Sequence, residues 1–320
     1  MKEFIIGKND AGKRLDSFLT KVIPTLPVSL MYKSIRTKKI KVNRKRAELS
    51  YKLVQGDSVQ CFLSEEFFTD KKKPDMLFTS LQGNVNIVYE DENILLADKK
   101  AGVLTHSGDG TSEPTLIDEI KAYLFKKGEY EPENELFFAP ALCNRIDRNT
   151  AGIVIAAKNA EALRIMNEMI KQHKVDKYYL CAVHGKMEKT HGILTAYLFK
   201  DSTKGRAFVY DTAGKGRTKI VTEYTVKQYK NGLSLLEIHL ITGKTHQIRA
   251  HFSHIGHPLL GEGKYGINRQ DKKLGYSHQA LYSYKLKFNF ASDGGILSYL
   301  SGKEFTVDEK NIYFLEEFGI

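Results

Sequence analysis

The sequence predicts a mixed α+β fold, in which a small N-terminal module precedes a larger domain with a largely antiparallel sheet and flanking helices. Three observations predict it. Strand-like apolar runs are short, as at residues 94–98. Helical patterns are too few and too irregularly placed for a βαβ alternation. A polar stretch at residues 64–84, which contains DKKKPD, reads as a linker between domains expected at residues 1–70 and 85–320.

Length and composition fit a globular protein of about two domains. The chain has 320 residues, of which 42% are hydrophobic and 27% charged. No apolar run reaches the ~18 residues of a membrane span, and the first residues do not form a secretory signal. Three widely spaced cysteines (Cys61, Cys143 and Cys181) fit reduced thiols. We therefore expect a cytoplasmic protein.

The charge indicates a polyanionic partner. The net charge is +11 and the pI is about 9.2, although a solvated basic surface is the plain alternative. Residues 33–46, KSIRTKKIKVNRKR, contain eight cations and no acid. The same segment contains the apolar residues Ile35, Ile40 and Val42. Their presence indicates a folded surface rather than a disordered tail. Such a face binds phosphates with little sequence preference. The expected RNA-binding residues here are Lys33, Arg36, Lys38, Lys39, Lys41, Arg44, Lys45 and Arg46.

The flanks of this basic segment carry a recognisable order. RLDSFL at residues 14–19 opens an amphipathic helix, a basic helix and IKVN follow, and GDSV at residues 56–59 forms a turn between short strands. This order resembles the S4 RNA-binding domain over about residues 12–63. Lys39 stands where such domains usually carry a glycine. The resemblance implies that the basic helix docks on structured RNA.

Further elements are expected in the larger domain. Strands are predicted at residues 86–89, 94–98 and 177–185, and a hairpin turns at Asn231-Gly232. Helices are predicted at residues 116–127, before Gly128, and after Asn159, with Leu163, Met166 and Ile170 on one face. The chain has no G-x-G-x-x-G after a strand and no Walker loop, so a nucleotide cofactor is unsupported.

Residues 242–266 are dense in polar groups. A helix is predicted over residues 245–255, which gives His246, Arg249 and Ser253 one face and Gln247, His251 and His254 another. Four histidines within twelve residues allow a metal site as an alternative. No acid or cysteine lies among them and the H-E-x-x-H pattern is absent, so no metal is expected. A serine or cysteine nucleophile lacks its sequence context as well.

Asp147 is the most informative acid. It lies between Arg145 and Arg148, just before the apolar run at residues 153–157. The plain interpretation is an ion pair that holds a loop to a strand. Adjacent cations also favour the ionised carboxylate, which is the form a nucleophile or base needs. Arg249 would be a further partner if the fold brings it near.

Several ordered motifs carry a family resemblance. NRIDRNTAGIVIAAK, KYYLCAVHG and TGKTHQIRAHFSHIGHPLLGEGKYG resemble the three core motifs of the RluA-type RNA pseudouridine synthases. IVYEDENILLADKKAGVLTHSG resembles the strand pair that opens their catalytic domain. The similarity covers about residues 84–295, and an S4-like module is a common N-terminal partner in that family.

The resemblance implies roles for single residues. Asp147 aligns with the essential aspartate, Tyr179 with the tyrosine that stacks on the target base, and Arg249 with the arginine that pairs with the aspartate. Arg145 and Arg148 align with cations that contact RNA or hold the loop. RNA contacts are also expected at Lys177, His246 and Gln247. The chain departs from the family motifs at Lys100, Asn144, Ile146, Ala151, Lys244 and Glu262-Gly263.

The expected function is that of an isomerase, an RNA pseudouridine synthase that acts without a cofactor on structured RNA, above all large-subunit ribosomal RNA. We expect a monomer with no membrane or metal partner. The alternatives are a noncatalytic RNA-binding or ribosome-assembly factor and a metal-dependent hydrolase. The sequence does not choose between a covalent sugar intermediate and a glycal, or between ribosomal and transfer RNA. The target uridine, the oligomeric state and the role of residues 303–320 also stay open.

Overall fold

Two β-sheets organise the part of the chain that the structure describes. A computed structural model describes residues 1–68, 77–107, 113–133, 135, 138–266, 268–290 and 294–320. These residues divide into two compact units, which we call the first and the second unit. The first unit comprises Met1–Asn84, Asp118–Ala141 and Lys158–Glu161, and the second comprises Val85–Ile117, Leu142–Ala157 and Ala162–Ile320.

The first unit contains a three-stranded antiparallel sheet of order β1-β3-β2 with two helices. Its first elements are β1 (Lys2–Ile5), α1 (Leu15–Val22), α2 (Val28–Arg36), β2 (Ile40–Val42) and β3 (Ser58–Cys61). The predicted helix at RLDSFL is confirmed as α1, which buries Leu15, Phe18 and Leu19. The predicted basic helix is confirmed as α2, and IKV forms β2 as expected.

Most of the predicted basic face lies beyond the helix. Helix α2 ends at Arg36, and Lys38 adopts a φ of 61°, which stops the helix before β2 begins. The left-handed residue is therefore Lys38 and not its neighbour Lys39. Ile35, Ile40 and Val42 are buried, so the basic segment is part of a folded surface.

The predicted linker at residues 64–84 contains short helical turns. Two 3-10 helices span Glu65–Phe68 and Leu77–Ser80, whereas residues 69–76 lie outside the described part of the chain. Within the first unit, the Phe78 ring packs at 5.9 Å from that of Phe125 in helix α3 (Leu116–Lys126). The expected boundary between residues 70 and 85 stays a prediction, since residues 118–141 cluster with the first unit.

The second unit holds an eleven-stranded sheet among the described residues. Its main path is β10-β9-β11-β12-β8-β13-β7-β5-β4, with β14 paired to β13 and β6 to β7. The strands are β4 (Ile87–Glu90), β5 (Ile94–Lys99), β6 (Ala141–Leu142), β7 (Ala151–Ala157), β8 (Val175–His184), β9 (His191–Asp201), β10 (Arg206–Tyr210), β11 (Thr218–Lys230), β12 (Leu233–His239), β13 (Leu281–Phe288) and β14 (Glu304–Thr306). Every pairing on the path is antiparallel except β7 with β13, so the predicted fold class is confirmed.

The remaining helices are α4 (Ala160–Lys171), α5 (Gln247–His254) and α6 (Arg269–Lys273), with 3-10 helices at Gly295–Leu300, Glu309–Asn311 and Tyr313–Phe318. The apolar face predicted for α4 faces the core, where Met166 is buried while Leu163 and Ile170 are partly buried. The last 3-10 helix buries Phe314, Leu315 and Phe318, so the C-terminal segment completes the hydrophobic core. Within the described ranges, no helix is long and apolar enough to cross a membrane.

A turn and a strand glycine show how single residues determine the pairing in this sheet. Asn231 and Gly232 both have positive φ, 52° and 80°, as the predicted hairpin between β11 and β12 requires. Gly152 has a φ of 112° at the start of β7, and a Cβ there would lie 2.2 Å from the Ser283 carbonyl oxygen on β13. Only glycine therefore permits the parallel pairing of β7 with β13 directly after the Asp147 loop.

Candidate active site

The site is centred on a carboxylate held by an arginine. Asp147 lies in the loop that leads into β7, and Arg249 lies on α5, 102 residues further along the chain. Arg249 Nη1 donates to Asp147 Oδ2 at 2.8 Å. Oδ1 of Asp147 accepts no hydrogen bond from any described residue. The structure thus brings together two of the three expected catalytic residues and leaves one carboxylate oxygen free for a substrate.

A second carboxylate, which the sequence reasoning did not include in the site, orients the arginine. Glu262 is buried and accepts from Arg249 Nε at 2.7 Å and from Nη2 at 2.8 Å. Backbone N–H groups of Lys264 and Tyr265 also donate to it. Burial alone would raise the pKa of Glu262, but these hydrogen bonds and the guanidinium lower it. The sequence signal for a role of Glu262 is that it is the only acid within residues 242–266.

Arg249 is charged at every accessible pH. Burial disfavours the guanidinium, yet Glu262 and then Asp147 outweigh that effect and raise the pKa of Arg249. Glu262 accepts hydrogen bonds from both Nε and Nη2 of Arg249, and this bidentate contact fixes the guanidinium plane. Nη1 is the nitrogen that donates to Asp147.

His246 lies beside this pair, just before α5, and its φ is 57°. Helix α5 therefore begins two residues later than predicted. His246 Nδ1 lies 2.8 Å from the Tyr265 hydroxyl, and Nε2 lies 3.8 Å from Asp147 Oδ2. Burial lowers the pKa of His246 despite the nearby Asp147 charge. The Ala207 N–H donates to the Tyr265 oxygen, so the Tyr265 proton is free to go to Nδ1. This assigns a neutral imidazole with its proton on Nε2, towards Asp147.

Tyr179 lies on the site side of β8. Its side chain is buried at 6% exposure among apolar residues such as Ile238 and Ile248, and Tyr179 pairs with Ser283 of the neighbouring strand β13. Burial, with a contribution from the Asp147 charge, raises the pKa of the Tyr179 phenol to about 12. The phenol therefore keeps its proton at neutral pH. Its neighbour Tyr178 instead stacks on His239, with ring centroids 4.7 Å apart.

A buried lysine that is not among the predicted site residues supports the Asp147 loop. The Lys99 ammonium donates to the carbonyls of Lys100 (2.9 Å), Val103 (2.8 Å) and Arg148 (2.8 Å). Burial lowers the pKa of Lys99 to about 8, although Asp147 favours the charged form. The sequence offered no signal that sets Lys99 apart from the adjacent lysine.

The flanking arginines have different surroundings. Arg148 donates from Nε to the Gly102 carbonyl at 2.9 Å and from Nη2 to Glu113 at 2.8 Å, so it holds the loop. Arg145 is exposed and forms no ion pair with the described residues. Asn144, where the chain departs from the family motif, accepts from the Ile155 N–H and ties the loop to β7.

Two expected RNA-binding residues face the protein rather than solvent. Gln247 is 2% exposed, and its amide bonds to Thr242, Thr222 and the Val221 carbonyl. It has no group left for RNA, so we correct that prediction: Gln247 anchors α5 to β11. Lys177 is half-buried, and burial lowers its pKa.

The histidines do not converge on one point. His251 Nδ1 pairs with Thr222, His254 Nε2 with Asp211 and His257 Nδ1 with the His184 carbonyl. Over the part of the chain that the structure describes, no three His, Cys, Asp or Glu side chains are grouped to hold a metal. The arrangement gives no support to the metal-dependent hydrolase.

The cations of the N-terminal basic segment remain available. Seven of the eight expected RNA-binding residues are exposed, and Lys41 is half-buried with its ammonium 5.4 Å from the centre of the Phe62 ring. None of the eight lies within 4.0 Å of a carboxylate in the described ranges. Their role stays a prediction.

Comparison with known proteins identifies the class of enzyme. Residues 93–254 match the family model of RNA pseudouridylate synthases, and the chain belongs to this family. It is an isomerase of the RNA pseudouridine synthase class.

The relatives include bacterial enzymes of similar length. The ribosomal large subunit pseudouridine synthase C of Buchnera aphidicola subsp. Baizongia pistaciae is 33% identical over 286 residues, which cover 89% of this chain and 84% of that protein. The protein of the same name from Haemophilus ducreyi is 30% identical over 292 residues, with coverages of 89% and 87%. The solved structure of human RNA Pseudouridylate Synthase Domain Containing 1 shares the fold, with a TM-score of 0.55 and 21% identity over 71% of this chain and 84% of that one.

Proposed function

We propose that the protein converts uridine to pseudouridine in large-subunit ribosomal RNA, in the cytoplasm and as a monomer. The N1–C1′ glycosidic bond breaks, the uracil turns, and C5 bonds to C1′. The C5 hydrogen leaves as a proton and N1 gains one, so the atoms balance. No group is transferred and no oxidation state changes overall, so the reaction needs no cofactor.

The free oxygen of Asp147 is the observation that carries this proposal. Oδ2 is fixed by Arg249, while Oδ1 has no hydrogen-bond partner in the described residues. A carboxylate held on one side and open on the other is suited to attack C1′, or to assist loss of the C2′ proton in a glycal route. Both routes stay open, because both need the ionised carboxylate in one place.

The neighbours of Asp147 fit the same chemistry. The neutral His246 and the protonated Tyr179 phenol both have a proton to donate near the carboxylate. The target base must leave its stack, and Tyr179 is the aromatic ring that would receive it. The exposed Arg145 and the cations of residues 33–46 would hold RNA phosphates.

The choice of RNA rests on two supports. Relatives that match most of this chain are named as enzymes of the ribosomal large subunit. The basic N-terminal segment, which resembles an S4 RNA-binding domain, is suited to structured RNA. Transfer RNA is the alternative substrate.

Tritium release tests the reaction and the role of Asp147 together. RNA carrying tritium at C5 of uridine, from cells lacking the protein, is separated into large-subunit, small-subunit and transfer RNA fractions. We expect wild type to release tritium from the large-subunit fraction and Asp147→Asn to release at least about a thousandfold less. Asp211→Asn, the same change at an exposed carboxylate, is the matched control and keeps its activity.

Other outcomes would redirect the proposal. Binding of RNA without release from any fraction would favour the noncatalytic RNA-binding factor. Equal release by wild type and Asp147→Asn would keep the enzyme and remove Asp147 from the reaction. Release from transfer RNA alone would change the substrate class.

A further inference from the structure

An open cavity of about 450 Å³ lies in the first unit, between helix α2 and the segment that follows β2. Tyr32, Lys33 and Arg36 line it from the helix, and Arg46, Glu48 and Leu49 line it from the opposite side. All of these residues belong to the first unit, more than 90 residues away in sequence from Asp147. The cavity is about large enough for one nucleotide.

Three cations surround this cavity without a carboxylate partner. The exposed face of α2 carries Tyr32, Lys33 and Arg36, whose spacing places them near one another on the helix. The opposite face is buried through Met31 and Ile35. Neither Lys33, Arg36 nor Arg46 forms an ion pair with a described residue. A concave surface with three unneutralised cations is suited to a phosphodiester.

An aromatic ring lines the same cavity as these cations. The Tyr32 side chain is 46% exposed, and its ring contacts no other ring among the described residues. Bases stack on such rings only when they have left their own helix, since a paired base has both faces covered. Cations and a free ring together therefore favour an unstacked nucleotide over a double-stranded segment.

Glu48 adds a chemical preference. Its side chain is exposed and forms no hydrogen bond or ion pair with a described residue. A carboxylate repels phosphate, so in this cavity it is suited to accept N–H groups from the base. Guanine presents two adjacent donors, N1–H and the N2 amino group, which match a carboxylate in a fork. Uracil presents a single ring N–H, and cytosine and adenine present a single amino group.

We propose that this cavity binds one unstacked guanosine of the RNA substrate. Lys33, Arg36 and Arg46 hold its phosphates, Tyr32 stacks on the ring, and Glu48 accepts the two N–H groups of its pairing edge. The site rests on the proposed function only in that RNA is the substrate. It gives the enzyme a sequence contact outside the catalytic site.

The absence of tryptophan from the chain allows a direct test. Tyr32→Trp in the full-length protein introduces a single tryptophan in the cavity. The probes are four RNA hairpins that differ only in one bulged nucleotide, A, C, G or U. We expect saturable quenching of the tryptophan, with the guanosine hairpin bound about tenfold more tightly than the uridine hairpin. Tyr229→Trp is the matched control, because Tyr229 is 47% exposed and lies in the second unit, and it should show no saturable quenching.

A second variant separates base recognition from charge. In Glu48→Gln we expect the four hairpins to bind within about twofold of each other, since the amide donates where guanine also donates. Equal affinities for all four hairpins in wild type would overturn the guanosine preference. Quenching in Tyr32→Trp no larger than in Tyr229→Trp, with RNA bound, would overturn the site itself.

Tritium release from ribosomal RNA, measured on the same preparations, keeps the two proposals apart. Release without quenching overturns the nucleotide site and leaves the enzyme. Quenching with a guanosine preference but no release supports the site and overturns the proposed catalysis.

Discussion

The Arg249 side chain divides its positive charge between two carboxylates with different surroundings. Glu262 is buried and takes two hydrogen bonds, whereas Asp147 is partly open and takes one. This division holds Asp147 Oδ2 in place and leaves Oδ1 open, as a reacting carboxylate needs. Glu262 is therefore a positioning residue: it acts on the reaction through Arg249.

Replacing Glu262 tests this role. In Glu262→Gln we expect kcat to fall about a hundredfold, because the Arg249 guanidinium loses its bidentate carboxylate partner and moves relative to Asp147. Removing one partner of a buried pair should also lower the free energy of unfolding by about 3 kcal/mol at pH 7. Urea unfolding and single-turnover kinetics measure the two effects.

The conservative variant is the control for charge. Glu262→Asp keeps the carboxylate, so it should retain more activity than Glu262→Gln. Since the pKa of Glu262 is lowered in the folded state, its contribution to stability is present above the unfolded pKa of about 4.3 and is lost as pH falls below it. The difference in free energy of unfolding between wild type and Glu262→Gln should therefore shrink at acidic pH. A difference that is unchanged down to about pH 2 would contradict this account.

Lys99 predicts a pH dependence of the reaction. Its ammonium fixes the Arg148 carbonyl, next to Asp147, and its pKa is about 8. We expect kcat to fall above pH 8 as the ammonium loses its proton and its hold on the loop. In Lys99→Met, kcat should be about tenfold lower at pH 7 and flat from pH 7 to 9. Lys100→Met, the exposed neighbour, should keep the wild-type profile.

The effect of the Lys99 titration on stability has the opposite sign. The folded pKa lies below the ordinary value of about 10.4, so between pH 8 and 10 the unfolded chain binds more protons than the folded one. This group therefore makes the folded state relatively more stable as pH rises through that window. Stability and activity moving together in this window would argue against Lys99 as the cause.

Residues whose role follows from their sequence neighbours are predictable from the sequence, whereas residues whose role follows from burial are not. Asp147 stood out because two arginines flank it, and Arg249 because it lies on a polar helix face. Glu262 and Lys99 look like surface charges in the sequence, and only the fold shows that both are buried. Gln247 was misassigned for the same reason, since its helix face packs on β11.

Among the secondary-structure elements, the pairing of β7 with β13 supports the loop that carries Asp147. The two strands meet at Gly152, five residues after Asp147, and at Ser283, which also pairs with Tyr179 of β8. Gln279 is buried and donates to Thr150 at 3.2 Å, and the Thr150 N–H donates to the Asp147 carbonyl. The catalytic loop is therefore anchored to the strand next to it.

Gly152→Ala tests that anchor. The added Cβ would lie 2.2 Å from the Ser283 carbonyl oxygen, in a backbone conformation that alanine rarely adopts. We expect a loss of more than about 4 kcal/mol in the free energy of unfolding, or no soluble protein. Gly232→Ala also has a positive φ but nothing within 4 Å, so it should cost only about 1–2 kcal/mol. Equal losses in urea unfolding would show that the contact with β13 is unimportant.

The elements themselves were largely predictable where a periodic pattern ran between clear turn residues. The hairpin at Asn231-Gly232 and helix α3 before Gly128 are examples. The start of α5 was predicted two residues early because the left-handed His246 is set by its tertiary contacts with Tyr265 and Asp147. The order of strands was not predictable, since β13 joins β7 and β8 from a distant part of the chain.

For the whole molecule, the net charge of +11 predicts a strong salt dependence of RNA binding. Replacing Arg44, Lys45 and Arg46 with alanine should reduce the slope of log affinity against log salt by about 2–3. Alanine at Lys186, Lys189 and Lys227, which are also exposed but outside the basic segment, should change the slope by less than about 1. Fluorescence anisotropy from about 50 to 300 mM KCl, a range that includes the physiological ionic strength, measures the slopes of both triple variants. Equal slopes for the two triple variants would remove the basic segment from the interface.

Strand β13 also has a consequence for how the enzyme is made. Asp147, Tyr179 and Arg249 have all been synthesised before the ribosome reaches residue 281, yet β7 and β8 meet only through β13. A nascent chain that carries every reacting group therefore lacks the link between β7 and β8 until β13 has emerged from the exit tunnel. We therefore expect a chain that stops before residue 281 to be inactive, although it carries Asp147, Tyr179 and Arg249.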